Sequence, residues 1–187
     1  AMAAQPVAAI VSLTLPRRQA LEVAQQLYEG LLPLADEFGV AIAGGDTNAW
    51  DGPLVISITA IGELTERGPL LRGGARPGDA ILVTGSFGGS ILGRHFRFTP
   101  RVREALLLNE RYRLHAGIDV SDGLSLDLFR LTQESGCGAL LDLSAVPIAA
   151  IFALSFAAFA SAASLRVTDP SLTRIAGEYA VTLAVAS

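Results

Sequence analysis

At residues 118–124 the sequence reads Ile-Asp-Val-Ser-Asp-Gly-Leu, and this stretch joins the end of a brief extended segment to the start of a helix. The helix is predicted from an apolar stripe of Leu124, Leu128 and Leu131. Asp119 and Asp122 therefore lie three residues apart at a strand end and a helix start. The exposed N–H groups of a helix start favour anions and carboxylates favour Mg²⁺, so this stretch could hold a metal ion together with a phosphate.

The same pattern allows a purely structural interpretation. Ser121 or Asp122 could be an N-cap, with Asp119 a surface residue. Asp127, farther along the helix, is read as a solvated surface residue or as a support behind the metal ligands. The residue types alone leave both interpretations open.

The first part of the chain predicts two strands, a helix between them, and one further apolar run that is followed by two glycines. Strands are expected over 7–15 and 54–61, and a helix over 17–38 that Gly39 terminates. The apolar run 40–43 is expected to stop at Gly44-Gly45-Asp46-Thr47. Two glycines would let the backbone approach a ligand while Asp46 holds a hard cation. A plain turn capped by the Asp46 side chain remains the alternative.

The rest of the chain mixes strands and helices without strict alternation, which favours an α+β fold. A turn-rich join at 72–79 places the domain boundary between domains 1–76 and 77–187. The glycine-rich turn 84–89 is either a phosphate-binding turn or a tight structural one. Further elements are expected as follows: strands at 80–84, 117–120, 139–143 and 180–186, a short helix after Gly89, a helix from Thr99 to about Leu114, a helix from Ser121 to near Gly136, and an Ala-rich helix at 148–164.

Composition narrows the function classes. The net charge of −4 speaks against a nucleic-acid surface. All 14 basic residues are arginine, so a phosphate-binding lysine of the Walker type is impossible. The single cysteine, Cys137, excludes an internal disulfide framework. No apolar run is long enough to span a membrane, and a cytoplasmic location is expected.

Three stretches occur in an order that resembles a known family. They are Gly44-Gly45-Asp46-Thr47, the run from Arg72 to Asp79 that leads into Ile81-Leu82-Val83-Thr84-Gly85, and the stretch 118–128 after Thr99-Pro100-Arg101-Val102. Together they resemble the thiamine-monophosphate kinases of the aminoimidazole-ribonucleotide-synthetase-like superfamily. The resemblance covers about residues 1–148 and is most specific at Asp-Val-Ser-Asp-Gly-Leu.

The resemblance implies a partial N-terminal α/β domain, whose sheet pairs with its twin to form a barrel across a homodimer, and a C-terminal α+β domain that closes over ATP. It implies transfer of the ATP γ-phosphoryl group to thiamine monophosphate with the help of Mg²⁺. Asp46, Asp119 and Asp122 would bind the metal, Thr47 and Ser121 would contact phosphate or metal-bound water, and Arg72 would stabilise phosphate charge. In the family, acidic glycine-rich segments with further metal-binding aspartates precede the position of Ala1.

No residue is assigned as a general acid or base, because the acceptor phosphate is already largely dianionic at neutral pH. The expected chemistry is the positioning of two polyanions by metal ions. Two alternatives are a diverged or truncated superfamily member with a structural or dimerisation role, and another ATP-using enzyme of the superfamily.

Overall fold

A computed structural model describes residues 2–149 and the strand Thr182–Ala186, and it divides the chain into two compact units. One unit is Ala4–Thr65, here the N-terminal unit, and the other is Ala1–Ala3 with Glu66–Ser187, here the C-terminal unit. Each unit combines one three-stranded sheet with helices, which confirms the α+β class expected from the order of elements. No described helix is both long and apolar enough to cross a membrane.

The N-terminal unit packs one long helix on a sheet with strand order β2-β1-β3. Strand β2 runs parallel to β1 and β3 runs antiparallel to it. The two predicted strands and the predicted helix are confirmed here; both strands are longer than predicted, and the α-helix begins at Ala20 rather than at Arg17. The elements are β1 (Ala4–Pro16), a 3₁₀ turn (Arg17–Gln19), α1 (Ala20–Phe38), β2 (Ala41–Trp50) and β3 (Val55–Leu64).

Alternation along β1 builds the core of this unit. Val11, Leu13 and Leu15 are buried and face the apolar side of α1, because successive side chains of a strand point to opposite faces. The helix ends at Gly39, which adopts a left-handed conformation with φ of 64°. The Val40 N–H then closes the last turn on the Ala35 carbonyl at 2.8 Å, so the predicted glycine cap is confirmed.

The expectation that the apolar run 40–43 stops at the glycines is wrong. Strand β2 continues through Gly44, Gly45, Asp46 and Thr47 to Trp50, so the alternative of a turn at Asp46 is wrong as well. The ladder with β1 shifts register between Ala9 and Ile10, where the pairing skips Ala43, and the two glycines that follow have φ of 151° and 155°. A Cβ on Gly45 would lie 1.7 Å from the Val11 carbonyl oxygen. The close approach at Gly45 is therefore to the neighbouring strand.

The C-terminal unit has an antiparallel sheet with strand order β4-β6-β5. Helix α3 packs on β5 through a core that contains Ala116, Ile118, Leu128 and Leu131. Strand β6 confirms the last predicted strand. The elements are β4 (Ala80–Val83), 3₁₀ turns at Ser90–Leu92 and Arg94–Phe96, α2 (Val102–Arg111), β5 (Leu114–Asp119), α3 (Leu124–Ser135) and β6 (Thr182–Ala186).

Several predicted bounds in this unit are wrong. The helix expected to reach Leu114 ends at Arg111, because Leu114 pairs with Ala186 as the first residue of β5. The short helix after Gly89 consists of the two 3₁₀ turns. Residues 139–143 form no strand of the described sheets, since Asp142 accepts a bond from the Ser144 N–H and turns the chain. The predicted Ala-rich helix falls almost wholly outside the described residues.

The chain passes from the N-terminal unit to the C-terminal unit between Thr65 and Glu66, whereas the sequence predicts the boundary after Arg76. The intervening segment belongs to the C-terminal unit because both a side chain and the backbone of the segment are hydrogen-bonded there. Arg67 donates to the Glu110 and Tyr112 carbonyls at the end of α2, at 2.8 and 2.9 Å, and so satisfies carbonyls that the helix leaves unpaired. The Gly117 N–H of β5 donates to the Leu71 carbonyl at 2.8 Å.

The glycine-rich turn 84–89 is held by its own chain. Arg94 donates to the Gly88 carbonyl at 2.7 Å and to the Ser86 hydroxyl at 3.2 Å. Gly88 and Gly89 both adopt positive φ, of 94° and 89°, so the glycines serve the backbone path. Of the two sequence interpretations, the tight structural turn is the one that these contacts support.

We predict that Gly45→Ala destabilises the protein far more than Gly44→Ala. Both variants place a β-carbon in a glycine conformation, which costs about 1–3 kcal/mol. Only Gly45→Ala also drives that carbon into the Val11 carbonyl, whereas Gly44 has open space around it. The clash should add about 2 kcal/mol or more to the loss of unfolding free energy, measured by urea denaturation. Equal stability of the two variants would show that the two strands separate there at little cost.

Candidate metal and phosphate site

The loop 119–123 lies between the end of β5 and the start of α3, as the sequence predicts. Ala116, Gly117 and Ile118 are buried in the sheet, whereas Asp119 at the strand end is exposed, and so are Ser121 and Asp122. The sheet and the helix behind the loop thus present two carboxylates and one hydroxyl to solvent. This is the arrangement that the stretch 118–124 suggests.

The buried Asp127 carboxylate holds this loop from the inside. Its Oδ2 accepts the backbone N–H groups of Ser121, Asp122 and Gly123 at 3.1, 2.9 and 3.1 Å. Asp127 is 1% exposed, so of its two predicted roles the solvated surface residue is wrong, and a support behind the exposed carboxylates is the role that its contacts favour. A carboxylate without water must be paired with donors, and three amides that point to one oxygen supply that pairing.

The N-cap alternative for Ser121 and Asp122 is also wrong. The residue that precedes α3 is Gly123, with φ of 113° and no side-chain cap. Asp127 takes over the work of a cap from within the first turn of the helix, where a negative charge is favoured. The side chains of Ser121 and Asp122 are therefore not used in capping.

Arg130 lies on α3 and contacts this loop, and the sequence prediction missed it. One guanidinium nitrogen, Nη1, donates both to Asp122 Oδ2 and to Asp127 Oδ1, the latter at 2.9 Å. The hydrogen bond that Arg130 donates to Asp122, joined by the one it donates to Asp127, raises the pKa of Arg130 above its ordinary value. The spacing of Asp127 and Arg130, three residues apart on one helix face, was the available signal.

The donor set at this loop suits Mg²⁺ held in part by phosphate. Mg²⁺ is usually bound by one or two carboxylates together with substrate phosphates and water, and Asp119 and Asp122 supply two exposed carboxylates. Among the described residues, no group of three or more His, Cys, Asp or Glu side chains could hold a metal ion. The residues therefore fit a metal ion that arrives with a phosphate ligand, and they do not form a complete protein cage.

Asp46 and Thr47 lie on β2 of the N-terminal unit. Asp46 is exposed and accepts a hydrogen bond from the Asn48 side chain at 2.7 Å. In the ladder with β1, Asp46 pairs with Ser12 and Thr47 with the buried Leu13. Neighbouring residues of a strand point to opposite faces, so Asp46 and Thr47 lie on opposite faces of this sheet.

Arg72 lies in the C-terminal unit beside the middle of β5. Its carbonyl accepts a hydrogen bond from the Ser135 hydroxyl at 3.2 Å, and its side chain is exposed. In the described part of the chain, the cation that contacts Asp122 is Arg130 rather than Arg72. The predicted contact of Arg72 with phosphate stays a prediction.

We predict that Asp127→Asn lowers the free energy of unfolding by about 2–3 kcal/mol. The asparagine amide loses the charge that three backbone N–H groups and Arg130 share, and its NH₂ group would face one of these donors. Chemical denaturation measures the loss. The matched control is Asp51→Asn, which removes an 83% exposed carboxylate paired with Arg17 and should cost less than about 0.5 kcal/mol. Equal effects of the two changes would contradict the anchoring role of Asp127.

Sequence comparisons place the chain among known proteins. Residues 1–64 match the family "AIR synthase related protein, N-terminal domain". Over 148 residues the chain is 53% identical to the thiamine-monophosphate kinase of Rhodopirellula baltica, which covers 79% of this chain and 46% of that protein. It is 33% identical to the thiamine-monophosphate kinase of Methanospirillum hungatei, over 79% of this chain and 53% of that protein. The chain spans about half the length of the curated relatives it matches.

Solved structures share the fold over nearly the whole chain. AaThiL complexed with AMPPCP and TMP superimposes with a TM-score of 0.78 at 21% identity, covering 100% of this chain and 63% of that one. The thiamine-monophosphate kinase of Stenotrophomonas maltophilia gives 0.75 at 28% identity, with 100% and 63% covered. The chain is therefore similar in sequence to about half of a thiamine-monophosphate kinase, shares the fold of solved members of that family, and matches the N-terminal domain of AIR-synthase-related proteins over its first 64 residues.

Proposed function

We propose that the protein transfers the γ-phosphoryl group of ATP to thiamine monophosphate, with Mg²⁺, and forms thiamine diphosphate. The observation that carries the proposal is the exposed carboxylate pair of Asp119 and Asp122 on a loop held by buried Asp127, in a chain 53% identical to a thiamine-monophosphate kinase. A related structure holds AMPPCP, an ATP analogue, together with TMP. These findings agree on a nucleotide and a phosphate-bearing acceptor.

The residues of the loop suit this reaction because both substrates are polyanions. Bound Mg²⁺ would offset phosphate charge during the transfer. Asp119 and Asp122 would hold the metal, and Ser121 would contact phosphate or metal-bound water. The metal role of Asp46 and the phosphate role of Thr47 stay predictions, since the two side chains lie on opposite faces of β2. The acceptor phosphate needs no base to activate it, and the site accordingly needs no histidine.

Sequence rather than fold favours a kinase over another ATP-using member of the superfamily. The hydrogenase maturation protein HypE superimposes with a TM-score of 0.75 at 21% identity, the same identity as AaThiL, so the solved structures do not separate the two activities. Thiamine-monophosphate kinases reach 30–53% identity with this chain. A cytoplasmic location would suit a kinase that draws on the ATP pool.

We predict that purified protein releases ADP from ATP only when both Mg²⁺ and thiamine monophosphate are present. The Asp122→Asn variant should lose about a hundredfold or more in kcat, because loss of a group that supports a catalytic metal commonly costs 10–100-fold and a direct ligand should cost more. A coupled assay of ADP, with mass detection of thiamine diphosphate, measures the reaction.

The control is Asp142→Asn, a change of a half-buried carboxylate whose hydrogen bonds are to Ser144 in its own turn. It should keep wild-type turnover. ADP release that ignores thiamine monophosphate would count against the kinase, and normal turnover by Asp122→Asn would remove Asp122 from the metal site.

We also propose that the protein forms a homodimer through the sheet of the N-terminal unit. Strand β3 is an edge strand and is exposed along its whole length. It carries five exposed large apolar side chains, Val55, Ile56, Ile58, Ile61 and Leu64. Exposed apolar edge strands are templates for pairing with another chain, and a second copy that extends the sheet would cover these residues.

We predict that Ile58→Asp shifts the protein from dimer to monomer in sedimentation velocity experiments. Ile58 is 51% exposed on β3, and a charge there would be desolvated in the paired sheet. The matched control is Leu21→Asp, which replaces a 74% exposed leucine on α1 and should leave the dimer intact. A wild-type protein that is monomeric at micromolar concentration would contradict the proposed assembly.

A further inference from the structure

Arg130 is paired with Asp122, the carboxylate that would bind the proposed metal ion. Its guanidinium contacts Asp122 Oδ2 on one side and Asp127 Oδ1 on the other. The Asp127 side chain is 1% exposed, whereas the side chains of Arg130 and Asp122 are 39% and 48% exposed. One contact therefore lies inside the protein and the other at the surface of the loop.

We propose that Arg130 is a built-in counter-cation that neutralises Asp122 in the metal-free site and competes with the divalent cation for it. This inference rests on the proposed function, in which Asp122 holds Mg²⁺. Binding of the cation then requires Arg130 to release Asp122. The bond to Asp127 remains, so release breaks one of the two contacts and keeps the arginine beside the loop.

The charges of the loop favour competition over simple positioning. Asp127 is already supplied with three backbone N–H groups, so it stays paired when Arg130 moves. An arginine that only oriented Asp122 would help the cation by restricting one short side chain, a modest entropic gain. A full positive charge in contact with a ligand of a doubly charged ion opposes binding more strongly, even near the surface.

Direct cation binding tests the competition without turnover. Mn²⁺ serves as the probe, and the free ion is counted by electron paramagnetic resonance in the absence of nucleotide. Arg130→Gln should bind Mn²⁺ about tenfold more tightly than the wild type, as expected for removal of a charge at contact distance. Arg130→Lys keeps the charge and should bind nearly as the wild type does.

A double-mutant cycle locates the effect. Asp122→Asn should weaken Mn²⁺ binding, and in that background Arg130→Gln should change the affinity little, because the contested carboxylate is gone. Unchanged or weaker Mn²⁺ binding by a folded Arg130→Gln variant overturns the proposal. A tenfold gain that persists in the Asp122→Asn background overturns it too, and so does a wild type that binds no Mn²⁺.

A measurement on the wild type covers the case in which Arg130→Gln does not fold. The NMR resonance of the Arg130 side-chain Nε–H should shift during a Mg²⁺ titration. The Mg²⁺ concentration at half of the shift should equal the concentration at which half of the protein has bound the cation. The resonance of Arg17, which pairs with the exposed Asp51, should stay in place. An Arg130 signal that does not respond contradicts release from Asp122. Normal cation competition without thiamine-monophosphate-dependent ADP release would reject the kinase and leave this inference standing.

Discussion

The geometry of the loop 119–123, which carries Asp119 and Asp122, depends on one buried charge. Asp127 would be costly inside the protein without partners, and its partners are the three successive N–H groups of Ser121, Asp122 and Gly123. These contacts curl the backbone around one carboxylate oxygen. As a consequence, the side chain of Asp122 is left at the surface, where a cation can reach it, and Asp119 at the end of β5 is exposed as well. Burial of the Asp127 carboxylate thus explains the exposure of Asp122.

Elements with strong periodicity could be predicted from the sequence because local burial decides them. The stripe of Leu124, Leu128 and Leu131 and the alternation along β1 both correspond to packed faces. Gly44 and Gly45 misled the prediction, since glycine usually marks a strand end. Their role depends on the path of β1, which passes within reach of any Cβ at Gly45. The contact between Val11 and Gly45 joins residues thirty-four positions apart, so the sequence around Gly45 does not reveal it.

The exposure of Asp119 and Asp122 could be predicted from the sequence, whereas a supporting role for Asp127 could be predicted only as one of two alternatives. Asp119 and Asp122 could be recognised by their position between a strand and a helix. Asp127 has the residue type and helical position of an ordinary surface acid, and only the curl of the preceding loop turns it inward. Arg130 likewise resembles a solvated helix residue. The residue pattern also gave no means of seeing that Asp46 and Thr47 alternate across β2.

The absence of lysine from the chain bears on why an arginine stands at position 130. A guanidinium is planar, stays charged and presents several donors in a fixed fork. It can therefore bridge Asp122 and Asp127 at once, one exposed and one buried. A lysine ammonium is a compact and strongly hydrated charge, so its burial beside Asp127 would cost more desolvation. Because a guanidinium is weakly hydrated, Arg130 can stay paired with the buried Asp127 carboxylate while its contact with the exposed Asp122 breaks and reforms.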